Sequence, residues 1–147
     1  MHKNSLGRKR EEIVEQVKNK ESSVKDYNSY IPIGNAASKV NLWKGNGFDI
    51  LYLTSRRKLK EIKEIKNVLN KNNFPAGRLL FRKNQENYSN IIEKEVPDFL
   101  VEDDCESISG RSEMSIFHVR PEIRKKIKLI EVKEFGGIDH LKDNLFK

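Results

Sequence analysis

The chain has 147 residues, of which 35% are charged and 36% are apolar, and its formal net charge is +7. This length suits one domain with its own core, and no apolar run approaches the roughly 18 to 20 residues of a membrane-spanning helix. The basic stretch 1–10 is not followed by an apolar one, which argues against a secretory signal. The single cysteine, Cys105, excludes an internal disulfide, so we expect a cytoplasmic protein that does not bind membranes.

The first 47 residues predict a helical, cap-like N-terminal segment. Residues 8–20 carry a narrow apolar stripe at helical spacing, and residues 21–32 are polar and predict a loop. A second helix follows Asn35, a residue that can cap it, and ends at Gly45 and Gly47.

From residue 48 onward, short apolar runs alternate with helical patterns. The predicted strands are 48–54, 78–81, 97–102 and 127–132, and the predicted helices are 58–70, 87–94 and a short one opened by Pro121. Strands alternating with helices of about ten residues favour right-handed crossovers and one parallel sheet. The sequence therefore predicts a single α/β domain over 1–147, with a Rossmann-like core over 48–135 and an irregular tail over 136–147.

Residues suited to phosphate binding follow the first two predicted strands, at the edge where an open parallel sheet binds its ligands. The first strand ends at Thr54, which Ser55 and Arg56 follow, and Lys83 comes just after the second strand. A threonine hydroxyl and the next amide can donate to phosphoryl oxygens, and a lysine can neutralise charge during phosphoryl transfer. Each residue alone also suits an ordinary helix cap or a solvated surface.

Adjacent acids follow the third predicted strand. Asp103 and Asp104 offer hard oxygen ligands, which suit a Mg²⁺ ion that keeps several waters, although adjacent acids are also common in turns. The same negative charge would raise the pKa of Cys105, so we do not expect this thiol to act as a nucleophile.

The stretches ILYLTSRR (50–57) and PDFLVEDD (97–104) resemble the second and fourth motifs of the haloacid dehalogenase superfamily. Lys83 lies between them at a spacing that suits the lysine of the third motif, and Lys94 is the reserve candidate. The resemblance covers roughly residues 33–132. It implies a Rossmann-like, three-layer α/β/α fold and a phosphohydrolase that works through an aspartyl-phosphate.

The resemblance also assigns roles to the strand-end residues. It implies that Thr54 and Lys83 are catalytic, that Thr54, Ser55, Arg56 and Lys83 bind phosphate, and that Asp103 and Asp104 hold the cofactor Mg²⁺. Too few residues separate Thr54 from the second strand for a large cap. An open site with a minimal cap favours a large or polymeric phosphorylated substrate.

The first motif of that superfamily, an apolar strand that ends in Asp-x-Asp, is not found before Thr54. Asp26 lies in a polar stretch, and Asp49 lies at the beginning of its strand, where it faces the wrong end of the sheet. We therefore expect the central strand of the sheet to be missing, which leaves unpaired backbone groups in the core. Either a segment upstream of Met1 supplies this strand, or residues 29–33 or 115–119 fill its place in a non-catalytic variant.

The sequence is compatible with three functions, of which we prefer the first. The first is a phosphohydrolase-like domain that is truncated and inactive in this form, because the aspartate nucleophile is absent. The second is a non-catalytic module that binds a phosphorylated ligand or a protein. The third is a basic nucleic-acid-binding protein, which the net charge of +7 favours, although acids interspersed among the lysines are typical of solvated helix faces.

Overall fold

The computed structural model describes residues 1–83 and 85–145. Within these residues the α-helices are α1 (Arg10–Lys18), α2 (Ala36–Gly45), α3 (Leu59–Lys71), α4 (Tyr88–Glu95) and α5 (Pro121–Arg124). The strands are β1 (Leu51–Thr54), β2 (Arg78–Phe81), β3 (Phe99–Asp103) and β4 (Lys128–Val132). Short 3-10 helices cover Lys3–Ser5, Ser22–Lys25, Tyr27–Ser29, Glu106–Ile108, Arg111–Glu113 and Ser115–His118. None of the helices in the described residues is long and apolar enough to cross a membrane.

Each predicted helix and strand forms close to its predicted position, with small shifts at the ends. Strand β1 begins at Leu51 because the N–H of Phe48 still donates to the carbonyl of Trp43, at 3.1 Å, and so closes α2. Strand β3 extends one residue further than predicted, to Asp103. The tail has no helix or strand through residue 145, as predicted, and residues 146 and 147 lie outside the described residues.

The prediction that Asn35 caps α2 is wrong in its detail. Asn35 does precede the helix, but its side chain makes no capping hydrogen bond. Its backbone N–H donates instead to the carboxylate of Asp139, at 3.0 Å. The partner lies 104 positions along the chain, so no local pattern could have indicated it.

Helix α4 has a well-defined beginning and a strained end. The backbone N–H of Asn87 donates to Oδ1 of Asn90 at 2.9 Å, and the Asn87 side chain caps the first turn in return. The helix ends at Glu95, and the next residue, Val96, has a φ of 42° and a ψ of 63°, which place it in the left-handed region. Glycine suits that region, whereas a β-branched side chain is strained there.

The strands form two separate parallel sheets, whereas the sequence predicts one parallel sheet that lacks its central strand. Strand β1 pairs with β2, and β3 pairs with β4. No backbone ladder joins β1 to β3 within the described ranges. The chain is therefore a mixed α/β fold with two small parallel sheets.

Neither segment predicted as a substitute for a central strand forms a strand. In the segment 29–33, the N–H of Ile31 donates to the carbonyl of Met1 at 2.8 Å, and the segment lies beside the N-terminus. Residues Ser115–His118 form a 3-10 helix, because the Glu102 carboxylate accepts hydrogen bonds from the Ser115 N–H, at 2.6 Å, and from its hydroxyl.

Two hydrophobic clusters hold the elements together. The first, here called the α4-side cluster, is centred on Ile92, Met114, Ile116, Val119 and Ile127. The second, here called the α2-side cluster, is centred on Val40, Trp43 and Leu145. The tail contributes to the second cluster, and the carbonyl of Lys142 accepts a hydrogen bond of 2.9 Å from the Trp43 indole. The irregular tail is therefore part of the core.

Candidate functional site

The end of β1 places a hydroxyl and backbone amides together. Thr54 is the last residue of the strand, and its hydroxyl oxygen accepts a hydrogen bond of 3.3 Å from the Arg56 N–H. The Arg56 guanidinium lies 4.6 Å from the centre of the Tyr27 ring, which directs it towards the N-terminal segment. The predicted residues Thr54, Ser55 and Arg56 thus form one compact turn.

An arginine that was not among the predicted site residues also lies at this turn. Arg82 directly follows β2, and its Nη2 donates to the carbonyl of Ser55 at 3.0 Å. Its guanidinium stacks over the Tyr88 ring at 5.2 Å, and its Nε is buried without a hydrogen-bond partner among the described residues. Its place directly after the second predicted strand is the signal in the sequence that indicates Arg82 as a site residue.

The predicted lysine, Lys83, contacts Glu86 and Phe81. Its backbone N–H donates to Glu86 at 3.0 Å, and its exposed ammonium lies 6.0 Å from the centre of the Phe81 ring. The reserve candidate, Lys94, forms an ion pair with the same Glu86. No hydrogen bond or ion pair between described residues joins either lysine to Thr54, so the catalytic role of Lys83 stays a prediction.

Tyr88 lies near the end of β1 and near the end of β3. Burial raises the pKa of the Tyr88 hydroxyl, a hydrogen bond to the Ser55 side chain opposes this rise, and the nearby Glu102 carboxylate adds to it. Ser55 follows β1 and Glu102 is next to last in β3. The carboxyl ends of the two strands therefore lie on the same side of the molecule.

The predicted metal ligands lie together, and a third carboxylate joins them. Asp103, Asp104 and Glu134 each offer an oxygen, and these atoms lie within 4.8 Å of one another. Asp103 ends β3, whereas Glu134 follows β4 by two residues. Three carboxylate oxygens at this spacing fit a hard divalent cation such as Mg²⁺. Glu134 was not predicted as a ligand, although its place two residues after the fourth strand is a signal that the sequence contains.

Asp104 is buried and held in its charged form. Burial alone would raise the pKa of Asp104, but hydrogen bonds from the Glu134 N–H and the Lys133 ammonium, both at 3.0 Å, bring that pKa below its ordinary value. The Lys133 side chain is 74% exposed, so it can leave Asp104 without disturbing the core. An ionised, partly buried carboxylate is well suited to bind a cation.

The surrounding groups fix the other carboxylates. Asp103 accepts a hydrogen bond of 2.9 Å from the Cys105 N–H, and Glu134 accepts bonds of 2.6 and 2.7 Å from the N–H and hydroxyl of Ser107. Burial, and to a lesser extent the negative charge of Asp103, raise the pKa of the Cys105 thiol to about 12. This agrees with the expectation that the thiol is not a nucleophile. Arg10 of α1 donates to the Glu134 carbonyl at 3.0 Å, so the N-terminal segment lies beside the site.

The comparisons with known proteins identify a family. The family model described as PITM 1-3, LNS2 domain, matches residues 13–96, which is more than half of the chain. The chain therefore belongs to the LNS2 domain family, which is related to phosphatases of the haloacid dehalogenase-like fold. No curated protein and no solved structure matches the chain.

This match corrects the family assignment made from the sequence. We expected a haloacid dehalogenase superfamily phosphohydrolase that lacks its Asp-x-Asp motif, and the matched family is the LNS2 domain instead. An apolar strand with a polar end is too general a pattern to separate related families. The match also includes residues 13–47, which the sequence analysis had described only as cap-like. The coarser prediction of a phosphohydrolase-like domain is confirmed.

Proposed function

We propose that this LNS2 domain binds a phosphorylated ligand beside a Mg²⁺ ion and, in the form that spans residues 1–147, does not hydrolyse it. The observation that carries the proposal is the group of carboxylates Asp103, Asp104 and Glu134, which follows β3 and β4. It lies on the side of the molecule where β1 ends at Thr54. Ligands of parallel α/β sheets bind at such an edge.

The proposed ligand contacts divide between the two sheets. Asp103 and Asp104 would hold Mg²⁺, with Glu134 as a further oxygen ligand. When bound, the ion would neutralise the negative charge of the phosphoryl group. On the other sheet, the hydroxyl of Thr54 and the amides of the turn after it would donate hydrogen bonds to phosphoryl oxygens. Asp103 is exposed, and an open site of this kind favours a large or polymeric ligand.

The proposed lack of hydrolysis follows from the positions of the aspartates. Asp103 and Asp104 are assigned to the metal, and no other aspartate of the described residues ends a strand. Asp49 and Asp98 precede β1 and β3, at the opposite ends of those strands. Asp139 binds Asn35 and Asp143 binds Lys39. Asp26 directly precedes Tyr27, whose ring faces Arg56, but it lies between two 3-10 helices and not at the end of a strand. No aspartate at the end of a strand is then left to attack phosphorus.

A hydrolysis assay tests the catalytic half of the proposal. We expect the chain to release para-nitrophenol from para-nitrophenyl phosphate, with Mg²⁺ present, no faster than a protein-free blank. Purified Asp103→Asn protein serves as the control for a contaminating phosphatase. Hydrolysis by the unmodified chain that disappears in Asp103→Asn would show that the site is active and that our assignment of the nucleophile is wrong.

A binding measurement tests the metal half. We expect calorimetric titration with MgCl₂ to show binding that Asp103→Asn weakens at least about tenfold, because loss of a charged ligand costs more than 1.4 kcal/mol. Asp98→Asn is the matched control, since this exposed aspartate lies immediately before the same strand. Equal Mg²⁺ affinities in the two variants would rule out a metal site at Asp103.

Lys133 offers a second test of the metal position. Because its ammonium pairs with Asp104, a bound cation would compete with it. We expect Lys133→Gln to bind Mg²⁺ several-fold more tightly than the unmodified chain. Lys126→Gln removes the same charge from another exposed position and should change the affinity much less. If the Mg²⁺ affinity rises equally in both variants, the change reflects the lower net charge and not the loss of the Lys133–Asp104 ion pair.

A phosphate titration tests the proposed contacts on the first sheet. Amide chemical shifts at Thr54, Ser55 and Arg56 should move with inorganic phosphate in the presence of Mg²⁺, and Thr54→Val should weaken this response. Comparing Arg82→Gln with Lys83→Gln decides which cation faces the ligand. Unchanged shifts at all three residues at high phosphate concentration would exclude a phosphate site at the end of β1.

A further inference from the structure

We propose that the ligand of this site carries two adjacent phosphoryl groups, as a diphosphate ester does, and that the guanidinium groups of Arg56 and Arg82 bind the second of them. The inference rests on the phosphate site proposed above, where the hydroxyl of Thr54, the amides of the turn after it and Mg²⁺ bind the first phosphoryl group. Neither guanidinium group takes part in those contacts, although both lie at the same turn.

The β1–β2 ladder brings the two arginines together. Arg56 is part of the turn after β1, and its N–H donates to the hydroxyl of Thr54 at 3.3 Å. The register of the ladder pairs Thr54 with Phe81, so the residue after Phe81 reaches the same turn. That residue is Arg82, and its Nη2 donates to the carbonyl of Ser55 at 3.0 Å. Two cations distant in the sequence thus meet beside the first phosphate position.

An aromatic ring lies against each guanidinium group. The Cζ atom of Arg56 is 4.6 Å from the centre of the Tyr27 ring, and that of Arg82 is 5.2 Å from the centre of the Tyr88 ring. A ring that stacks on the face of a guanidinium group leaves the N–H groups at its edge able to donate to an anion. The rings therefore orient both cations without occupying the donors that recognise a phosphoryl group.

No carboxylate of the described residues forms an ion pair with Arg56 or Arg82. Five other arginines each pair with a glutamate, and they are Arg8, Arg10, Arg78, Arg111 and Arg120. Two neighbouring guanidinium groups repel each other unless an anion lies between them. The positive charge at this turn is therefore available to a ligand.

The surroundings of Tyr88 show the sign of the local charge. Burial has the largest effect and raises the pKa of the Tyr88 hydroxyl, but Arg82 and Arg56 both lower it, each by more than Glu102 raises it. The Glu102 carboxylate accepts hydrogen bonds from the Ser115 N–H, at 2.6 Å, and from its hydroxyl, so it is bound elsewhere. A position beside the Tyr88 hydroxyl is thus one that attracts an anion.

The donors suit a phosphoryl group better than a carboxylate. A terminal phosphoryl group offers three strong acceptor oxygens, whereas a carboxylate offers two. One guanidinium group binds two oxygens through parallel N–H groups, which leaves the third oxygen for the other guanidinium group. Because Arg56 lies only two residues after Thr54, the second phosphoryl group must adjoin the first, as it does when one bridging atom joins them.

The experiment compares methylphosphonate with methylenediphosphonate, which carries two phosphonyl groups on one bridging carbon and resists hydrolysis. Amide chemical shifts at the turn, followed with Mg²⁺ present, give both dissociation constants. We expect Arg82→Gln and Arg56→Gln each to weaken methylenediphosphonate binding at least about tenfold more than methylphosphonate binding, because hydrogen bonds to a charged donor are lost. Arg78→Gln removes the same charge at the other end of β2 and should weaken both compounds equally.

The melting temperature of each variant is measured first, and Arg56→Gln carries the test alone if Arg82→Gln does not fold. If the arginine variants weaken both compounds equally, the second phosphoryl site does not exist, and the phosphate site at Thr54 stands. If neither compound shifts the amides of the unmodified chain, both proposals fail. Phosphonoacetate, in which a carboxylate replaces the second phosphonyl group, should bind more weakly than methylenediphosphonate, and equal binding would refute the assignment of a phosphoryl group.

Discussion

A buried histidine near the N-terminus links stability to pH. The His2 side chain is only 1% exposed, and its Nδ1 lies 2.9 Å from the Ser23 hydroxyl. Burial lowers the pKa of His2 below its ordinary value of 6.5, the nearby Glu21 opposes this, and the N-terminal ammonium adds to it. The folded chain therefore holds His2 in its neutral form at neutral pH.

We expect acid to destabilise the fold through His2. Between its lowered pKa and 6.5 the unfolded chain binds more protons than the folded chain, so the free energy of unfolding rises with pH through this window. The contribution of one such group is at most about 1.4 kcal/mol per pH unit. Urea denaturation between pH 5 and pH 7.5 should show a shallower pH dependence for His2→Gln than for the unmodified chain. The control is His118→Gln, at an exposed histidine, for which we expect the same dependence of the unfolding free energy on pH as in the unmodified chain. If the unfolding free energies of His2→Gln and of the unmodified chain change equally with pH, the prediction is wrong.

The candidate site was partly predictable at the scale of single residues. Asp103 and Asp104 follow an obvious strand, so their meeting at a sheet edge could be predicted from the sequence. Glu134 and Arg82 could also have been found, because each follows a predicted strand closely. What the sequence could not give is the pairing of Asp104 with Lys133, since that contact depends on how β4 is aligned with β3.

At the scale of elements, the end of α4 carries strain that a substitution can relieve. Val96 has a φ of 42°, and its side chain is 39% exposed, so little packing is lost when it is removed. We expect Val96→Gly to raise the free energy of unfolding by about 0.5–1 kcal/mol, because glycine adopts the left-handed region without a Cβ clash. Urea denaturation measures the change. Val96→Ala keeps the Cβ atom and should give no such gain, and a Val96→Gly protein no more stable than Val96→Ala would refute the argument.

The elements themselves were more predictable than their assembly. Helix α3 and strand β2 follow from apolar spacing and strand-forming residues, and the structure has them almost as predicted. The division into two sheets depends on which edges find partners, which no local pattern records. The packing of the tail was not predictable either, because Leu145 is buried in the core although the residues around it form no helix or strand.

At the scale of the whole molecule, the net charge of +7 is distributed unevenly. Many cations are paired with nearby acids, such as Lys18 with Glu15 and Lys44 with Asp49. Other exposed cations on and beside α3 make no ion pair with a described residue; they are Lys58, Lys60, Lys63 and Lys66. This row of unpaired lysines should attract polyanions, as should a second group of exposed cations beside α5, formed by Arg124, Lys125, Lys126 and Lys128.

We therefore expect weak nucleic-acid binding that reflects charge alone. A 20-nucleotide oligothymidylate should bind with a Kd of about 10⁻⁴–10⁻⁶ M near physiological salt, and its affinity should fall steeply as salt rises. Changing the four lysines of α3 and its start, Lys58, Lys60, Lys63 and Lys66, to Gln lowers the net charge from +7 to +3 and should weaken binding several-fold, as measured by fluorescence anisotropy. The same reduction at the paired cations Lys18, Lys44, Arg111 and Arg120 should weaken binding less, because their charge is already partly neutralised. Tight binding that depends on base sequence and changes little with salt would instead indicate a dedicated nucleic-acid site, and the charge of α3 would not explain it.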